Sequence, residues 1–296
     1  DFSEDLSFVV PGKTLSELLK LIKDSEEPVE ISAGRRHILN TSTNGREQLV
    51  KRIKNRLTSV LAFVAIPGAV YLLFLILRPA AFGKFSMLGM LITQSFINSI
   101  IAWGLSFSMT AGNLDLSIGA QISVSTIVGC LLSQKIGMPG LILGCVGTSL
   151  VVGVIKVLLM RVIRMSSMVI SIAYALILAS IGGVIGGSEI LVISTEHTIL
   201  GRFPANVIIF LSTGAIMFFL QKYSVYGAKA RAVGGNPALA ESAGISTIQT
   251  QSVAIMLAAV YGGIAALLSL SYGTGTSIEN GLDTIGTAFQ AMLGVF

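Results

Sequence analysis

The chain has 296 residues, of which 53% are hydrophobic and only 12% are charged. Soluble globular proteins carry about 25% charged residues, so this composition argues against an ordinary cytosolic enzyme and excludes a disordered chain, a collagen and a disulfide scaffold. The formal net charge is +5, and residues 1–56 hold 10 of the 20 Lys and Arg and 9 of the 15 Asp and Glu. A short polar segment therefore precedes a long, very apolar one.

The polar start predicts a small α+β fragment over residues 1–45 and a basic lead-in over residues 46–57. Thr14–Lys23 places leucine and isoleucine on one helical face, and Val29-Glu-Ile31 alternates as a strand does. A fragment of this size buries little apolar surface, so we expect it to be marginally stable by itself.

Seven apolar runs in residues 58–296 are predicted to cross a membrane, because a spanning helix needs about 20 mostly apolar residues. They are Thr58–Leu77, Ser86–Thr110, Leu116–Ser133, Pro139–Met160, Met168–Gly187, Ala205–Leu220 and Gln249–Leu270. An eighth run begins near Leu282 and stops at Phe296, which is too short to span and is either re-entrant or cut short. The predicted fold is an all-α polytopic membrane protein of about seven transmembrane helices plus a partial C-terminal segment.

Basic residues in the short connections predict the orientation, since cytoplasmic loops carry an excess of Lys and Arg. Alternating spans place three basic clusters on one side, which we expect to be cytoplasmic together with the N-terminus: Lys51, Arg52, Lys54 and Arg56; Arg161 and Arg164; and Lys222, Lys229 and Arg231. The opposite connections hold fewer basic residues, and they also hold Glu189, Glu196, Glu279 and Asp283.

Small residues recur inside the apolar runs, for instance at Gly140/Gly144 and Gly183/Gly187. Close helix packing in a membrane needs small residues, so we expect packing surfaces there, although the same glycines could line a substrate path. Cys130 and Cys145 also lie in apolar runs, and packing is the favoured role for them over a disulfide or a metal site.

The first group of residues that could carry function is Gly112-Asn-Leu-Asp-Leu-Ser-Ile-Gly119, between two apolar runs. Asp115 is its only charge, and a carboxylate near the bilayer core is costly unless it is paired or functional. The simpler interpretation is a helix N-cap, in which Asn113, Asp115 or Ser117 accepts a hydrogen bond from backbone N–H groups. The two interpretations are compatible, because broken helices frame transport sites.

The second group lies in a predicted long cytoplasmic loop, Tyr226–Ile245. Asn236-Pro237 can begin a short helix, with Asn as N-cap and Pro in the first position, and Gly244 can end it. Connections between helices usually have about 2–8 residues, so this longer one is better explained as a docking surface than as an inert surface helix.

Catalytic and metal-binding motifs do not emerge from the sequence. The sequence contains no GxxxxGK[ST], GxSxG or HExxH pattern, so we expect no catalytic residue and no ATP hydrolysis by the chain itself. His37 and His197 are far apart in the sequence without a third ligand nearby, so no metal site is predicted.

Together, the two groups resemble the membrane permease of bacterial ABC importers for simple sugars, of the ribose/xylose/galactoside type. That family carries Gly-Gly-Ile-Asp-Leu-Ser-Val-Gly where this chain has residues 112–119. It also carries a cytoplasmic Gly-Gly-Asn-Pro-x-Ala-Ala-x-x-Ser-Gly-Ile loop, where this chain has Gly234-Gly-Asn-Pro-Ala-Leu-Ala-Glu-Ser-Ala-Gly-Ile245. The resemblance covers roughly residues 58–296, and the related branched-chain amino-acid permeases lack the Asp-Leu-Ser form.

The resemblance implies a permease subunit in the bacterial inner membrane that translocates a simple sugar by alternating access. The implied partners are a cytoplasmic ATPase subunit that binds the ATP, an external solute-binding protein, a second permease copy and the lipid bilayer, with no nucleic acid and no cofactor on this chain. The implied ATPase-coupling residues are Gly234, Gly235, Asn236, Pro237, Ala240, Gly244 and Ile245. The implied translocation-path residues are Gly112, Asn113, Asp115, Ser117 and Gly119.

Two features depart from that family. Its members continue past the point matching Gly286–Phe296 with a glycine-rich turn and two more membrane segments. In addition, residues 7–39 resemble part of the middle domain of the bacterial DNA sliding clamp, which suggests a fusion or an artefact of assembly. The alternatives to a sugar permease are thus a permease for another small polar solute, an inactive truncated or chimeric membrane protein, and a replication clamp suggested by residues 7–39 alone.

Overall fold

The computed structural model describes residues 31–33, 38–40, 65, 67–163, 165–187, 190–276 and 281–294. The helix predicted at Thr14–Lys23 and the basic lead-in at residues 46–57 lie outside these residues. The chain divides into two compact units, Asp1–Gly83 and Lys84–Phe296.

In the first unit, strands β1 (Ile31–Ala33) and β2 (Ile38–Asn40) pair antiparallel. β1 begins at the last residue of the strand predicted from Val29-Glu-Ile31. Helices α1 (Pro67–Leu77) and α2 (Pro79–Phe82) follow. The described helix α1 corresponds to the second half of the first predicted span.

The second unit is mostly helical. In chain order its helices are α3 (Phe85–Thr110), α4 (Ile118–Ile136), α5 (Met138–Ile142), α6 (Thr148–Val162), α7 (Ser167–Gly186), α8 (Ala205–Lys222), α9 (Val225–Gly235), α10 (Pro237–Ser242), α11 (Thr247–Gly273) and α12 (Gly281–Leu293). A π-helical turn, Leu143–Gly147, joins α5 to α6, and a 3-10 helix covers Thr195–Gly201. Strands β3 (Leu191–Val192) and β4 (Gly275–Thr276) pair antiparallel.

Within the described residues, five helices are long and apolar enough to cross a membrane. They are Ser86–Thr110, Met138–Val162, Ser167–Gly186, Ala205–Lys222 and Thr247–Gly273, which confirms the second, fourth, fifth, sixth and seventh predicted spans. The third predicted span forms α4, a helix of 19 residues whose mean hydropathy is lowered by Gln121, Gln134 and Lys135. The chain is therefore an all-α polytopic membrane protein, and its last apolar run forms the 13-residue helix α12.

Helix α11 is the centre of the second unit. Two thirds of the residues in its most apolar stretch are buried, and the helix packs against α3, α4 and α6. A Cβ added at Gly263 would lie 2.9 Å from the Cα of Val146, so glycine permits this close approach of two helices. In helix α8, in contrast, only 11% of the residues in the apolar stretch are buried. Its outward apolar side chains suit a lipid environment.

The predicted glycine packing is found at one of the two pairs. A Cβ at Gly144 would lie 2.5 Å from the Cα of Gly129, and a Cβ at Gly140 would lie 2.3 Å from the carbonyl oxygen of Leu132. The backbones of α4 and of the α5–π segment therefore touch. Around Gly183 and Gly187 a Cβ would meet no described atom within 4 Å, so this pair packs on nothing in the described chain. Cys130 and Cys145 are free thiols buried in one apolar cluster.

Candidate functional site

The segment between α3 and α4 is a buried turn that ends helix α3 and redirects the chain. Gly112 has φ of +79°, a backbone conformation that glycine adopts without strain. The backbone N–H of Asn113 donates to the carbonyl oxygen of Ser108 at 2.9 Å, which closes the turn. Asn113, Asp115 and Ser117 are all buried as a result.

Asp115 forms an ion pair with Lys156 of α6, and the two residues are 3% and 2% exposed. Ser117 connects them: its Oγ donates to Oδ1 of Asp115 at 2.8 Å and accepts from Nζ of Lys156 at 2.8 Å. The backbone N–H of Ser117 donates to the same Oδ1 at 2.9 Å. Buried charges persist when they are paired and hydrogen-bonded, and this arrangement satisfies both conditions.

Lys156 lies inside the fourth predicted apolar run, and no functional role is predicted for it from the sequence. A signal was available, because a lone charge within a spanning helix marks either a functional site or a partner for another buried charge. Among the side chains that the structure describes, Asp115 and Lys156 are the buried ones with a formal charge. The burial of each charge therefore predicts that the opposite charge lies beside it.

The predicted capping at the start of α4 is confirmed in part, because Oδ1 of Asp115 accepts from the backbone N–H of Ser117 at 2.9 Å. Ser117 is the N-cap residue, and its own side chain makes no capping hydrogen bond. Asp115 also pairs with Lys156 and accepts from the hydroxyl of Ser117, and Nδ2 of the buried Asn113 has no hydrogen-bond partner among the described residues. Burial of the turn among α3, α4 and α6 replaces the solvent-exposed geometry that a simple cap assumes.

The predicted loop over Tyr226–Ile245 is largely helical. Helix α9 occupies its first half, and its N-cap is Ser224, whose Oγ accepts from the N–H of Gly227 at 3.2 Å. Tyr226 packs against a small cluster of Ala111, Ala230 and Ala254. Its hydroxyl has no hydrogen-bond partner in the described residues, and burial raises the pKa of Tyr226, so it remains neutral as a packing residue.

Helix α10 has the limits that its sequence predicts. Oδ1 of Asn236 accepts from the N–H of Leu239 at 3.1 Å, and Pro237 occupies the first position. At the other end, Gly244 has φ of +79° and donates to the carbonyl of Glu241, while Ile245 donates to the carbonyl of Ala240, both at 2.9 Å. This pair of bonds is a Schellman motif. Both ends of a six-residue helix are thus fixed by local hydrogen bonds.

Most of α10 is open to its surroundings. Ala240 is buried and anchors the helix, whereas Leu239 is 66% exposed and Pro237, Ala238 and Glu241 are exposed as well. An exposed helix of small residues with a fixed start and end provides a rigid surface on which another protein can dock.

The two groups of residues that the sequence singled out meet in space. A Cβ at Gly112 would lie 3.4 Å from the Cα of Gly234, and a Cβ at Gly234 would lie 2.2 Å from the carbonyl oxygen of Thr110. In the same region, Nε2 of Gln251 donates to the carbonyl of Ala111 at 3.3 Å. The C-terminal end of α9, which leads directly into α10, therefore packs on the turn that carries Asp115. Gly235 differs from its neighbour, since a Cβ there would meet no described atom within 4 Å.

The two ends of α11 mark the two opposite ends of the helix bundle. Arg161 donates through Nη2 to Oγ of Ser252 at 3.2 Å, near the start of α11 where α10 also lies. At the other end, a Cβ at Gly201 would lie 2.5 Å from the backbone nitrogen of Tyr272, which puts the 3-10 helix with Glu196 there. In the described residues, no group of three or more His, Cys, Asp or Glu could hold a metal ion.

Residues 87–295 match the family described as the permease component of branched-chain amino acid transport systems. The chain belongs to this permease family. Both groups of residues, 112–119 and 234–245, lie within the matched region of this permease.

Two curated proteins are similar to the permease. One is the inner membrane ABC transporter permease protein YjfF of Escherichia coli (strain K12), with 25% identity over an alignment of 225 residues that covers 69% of this chain and 65% of that protein. The other is the fructose import permease protein FruG of Bifidobacterium longum (strain NCC 2705), with 23% identity over 245 residues, 75% of this chain and 69% of that protein. The match thus spans less than two thirds of the length of YjfF. No solved structure matches the chain.

Proposed function

We propose that the chain is the membrane subunit of an ATP-driven importer, in the bacterial inner membrane, for a simple sugar of the ribose/xylose/galactoside type. The observation that carries the proposal is the direct contact, at Gly234 and Gly112, between the end of α9 that leads into the exposed helix α10 and the buried turn of Asp115. Membership of the permease family and the similarity to a fructose import permease support the same function.

Helix α10 is the proposed docking element for a cytoplasmic ATPase subunit. The basic residues at this end of the bundle, Arg161, Lys222, Lys229 and Arg231, favour a cytoplasmic location for it and, by alternation, for the N-terminus. ATP would bind to the partner, and a groove of that partner would receive α10. The residues proposed to hold this element in shape and position are Gly234, Gly235, Asn236, Pro237, Ala240, Gly244 and Ile245.

A rigid helix can pass a movement of its partner to the membrane domain, because packed elements shift as bodies between discrete states. Here the movement would reach Thr110 and Gly112 first, and Asp115, Ser117 and Lys156 next. Gly112, Asn113, Asp115, Ser117 and Gly119 are accordingly proposed to border the translocation path. A second copy of the chain would complete that path, and an external binding protein would deliver the solute.

The second candidate is a permease for another small polar solute. The description of its family, which names branched-chain amino acids, favours this candidate. The first test of either importer is co-purification from cells that express the chain with an ATPase subunit encoded beside it. We expect the permease to retain that ATPase through detergent extraction. A permease that folds and enters the membrane but retains no ATPase would contradict coupling and favour an inactive membrane protein.

A further inference from the structure

A cavity of about 240 Å³ opens within the second unit among α3, α4, α11 and α12, next to β4. Pockets for drug-sized ligands measure about 300–1,000 Å³, so this one suits a smaller solute such as a monosaccharide. Gly119 forms part of its wall and lies two residues from Ser117, which bridges the Asp115–Lys156 ion pair. The cavity therefore adjoins the proposed path.

The cavity is lined by amides and hydroxyls rather than by charges. Its polar side chains include Gln94 and Asn98 of α3, Ser123 and Thr126 of α4, and Thr287 and Gln290 of α12. Among the lining residues that the structure describes, none carries a formal charge. Such a surface can donate and accept hydrogen bonds but cannot neutralise an ion.

The amides of Gln94, Asn98 and Gln290 have unused hydrogen-bonding capacity, because none of them bonds to another described residue. Gln121, also on α4, provides the contrast. Its Nε2 donates to the Oγ of Ser149 at 2.7 Å and to the carbonyl of the same residue at 3.2 Å. The buried amide of Gln121 is thus paired, as buried polar groups usually are, whereas the three cavity amides are exposed and free to bind a solute.

We infer that this cavity is a binding site for an uncharged, polyhydroxylated solute, and that Asn98 and Gln290 select it. This inference rests on the proposed function. A sugar presents several hydroxyl groups, each of which can pair with an amide donor or acceptor from α3 or α12. A zwitterionic amino acid would bring an ammonium and a carboxylate to a cavity without compensating charge, which is unfavourable. The buried charges nearby, Asp115 and Lys156, already neutralise each other.

The test uses the complete importer, reconstituted in lipid vesicles with its ATPase and binding protein. Uptake of labelled fructose and of labelled leucine is measured for the wild type and for the variants Asn98→Leu and Gln290→Leu. Gln134→Leu is the control, since Gln134 is an exposed amide of α4 outside the cavity, whose Nε2 donates to the carbonyl of Val192 at 3.3 Å, so the variant also loses an amide hydrogen bond but away from the cavity. Each lost pair of hydrogen bonds is expected to reduce fructose uptake about tenfold below saturation, with the control and the ATPase activity unchanged.

A second measurement needs no transport and does not depend on the leucine variants. Cysteine is introduced as Asn98→Cys or Gln134→Cys, and the rate of reaction with a water-soluble maleimide is followed with and without fructose. The native Cys130 and Cys145 are buried, so they contribute little background. Fructose is expected to slow labelling at position 98 and not at position 134.

The outcomes separate the two hypotheses. Wild-type fructose uptake with unchanged rates in Asn98→Leu and Gln290→Leu, or labelling at position 98 that fructose does not slow, overturns the cavity assignment and leaves the importer standing. A wild type that accumulates leucine but none of fructose, ribose and xylose overturns the sugar function and the cavity assignment together.

Discussion

At the scale of single residues, the Asp115–Lys156 pair explains how a charged turn can be buried in an apolar bundle. Lys156 interrupts an apolar helix, and Asp115 occupies a turn that excludes solvent. Ser117 holds both groups at hydrogen-bond distance. Each charge is therefore tolerated because the other is present.

Replacing Lys156 with methionine is expected to destabilise the permease strongly. Removing one partner of a buried pair leaves an unneutralised charge, which costs about 3–5 kcal/mol. Thermal unfolding of the detergent-purified protein measures this loss. Lys135→Met, at an exposed position of α4, should be close to neutral. The double variant Asp115→Asn with Lys156→Met should recover part of the loss, and a Lys156→Met variant as stable as the wild type would contradict the pairing.

Two adjacent glycines provide a test of the contact between the two groups of residues. Gly234→Ala would place a Cβ 2.2 Å from the carbonyl oxygen of Thr110, whereas Gly235→Ala would meet no described atom within 4 Å. Overpacking typically costs about 1–3 kcal/mol, so Gly234→Ala should unfold at a lower temperature and transport less solute per ATP hydrolysed. Gly235→Ala should behave like the wild type. Equal behaviour of the two variants would show that the end of α9 does not pack on the turn.

At the scale of elements, the sequence predicts features that depend on neighbouring residues, but it does not predict contacts between residues far apart in the chain. The start and end of α10 follow from Asn236, Pro237 and Gly244, because capping depends on residues within one or two turns. The pairing of Ser117 with Lys156 joins residues 39 apart, and no local pattern specifies such a contact. Helix α9 was missed because its alanines and glycines carry no apolar periodicity that distinguishes a helix from a loop.

The cap of α10 can be tested on its own. Asn236→Ala removes the acceptor for the Leu239 N–H, which typically costs about 1 kcal/mol. Hydrogen exchange followed by mass spectrometry should then show roughly fivefold faster exchange over Pro237–Ser242. Asn236→Asp keeps an acceptor and should preserve the protection. Unchanged exchange in Asn236→Ala would mean that burial of Ala240, and not the cap, holds the helix.

At the scale of the whole molecule, the chain divides into two units, Asp1–Gly83 and Lys84–Phe296, and the change from polar to apolar sequence near residue 57 lies within the first of them. The second unit holds the five spans, the buried ion pair and α10. Apolar run length was enough to predict these spans. It could not predict the packing order, because the central position of α11 depends on which glycines and small residues meet across helices.

Docking of the ATPase should depend on one end of the molecule. Leu239→Glu puts a charge on the exposed face of α10, and it should abolish co-purification of the ATPase subunit by burying an unpaired carboxylate in the interface. Ile199→Glu is the control, because Ile199 is 61% exposed on the 3-10 helix at the other end of α11. Loss of the ATPase in both variants, or in neither, would contradict docking through α10.

The most direct measurement is ATP-dependent uptake of labelled fructose by vesicles that contain the permease, its ATPase and its binding protein. The proposed function predicts accumulation with ATP on the side of the ATPase, and no accumulation with a non-hydrolysable analogue. An assembled complex that hydrolyses ATP in the presence of loaded binding protein, yet accumulates no fructose, ribose or xylose, would contradict it.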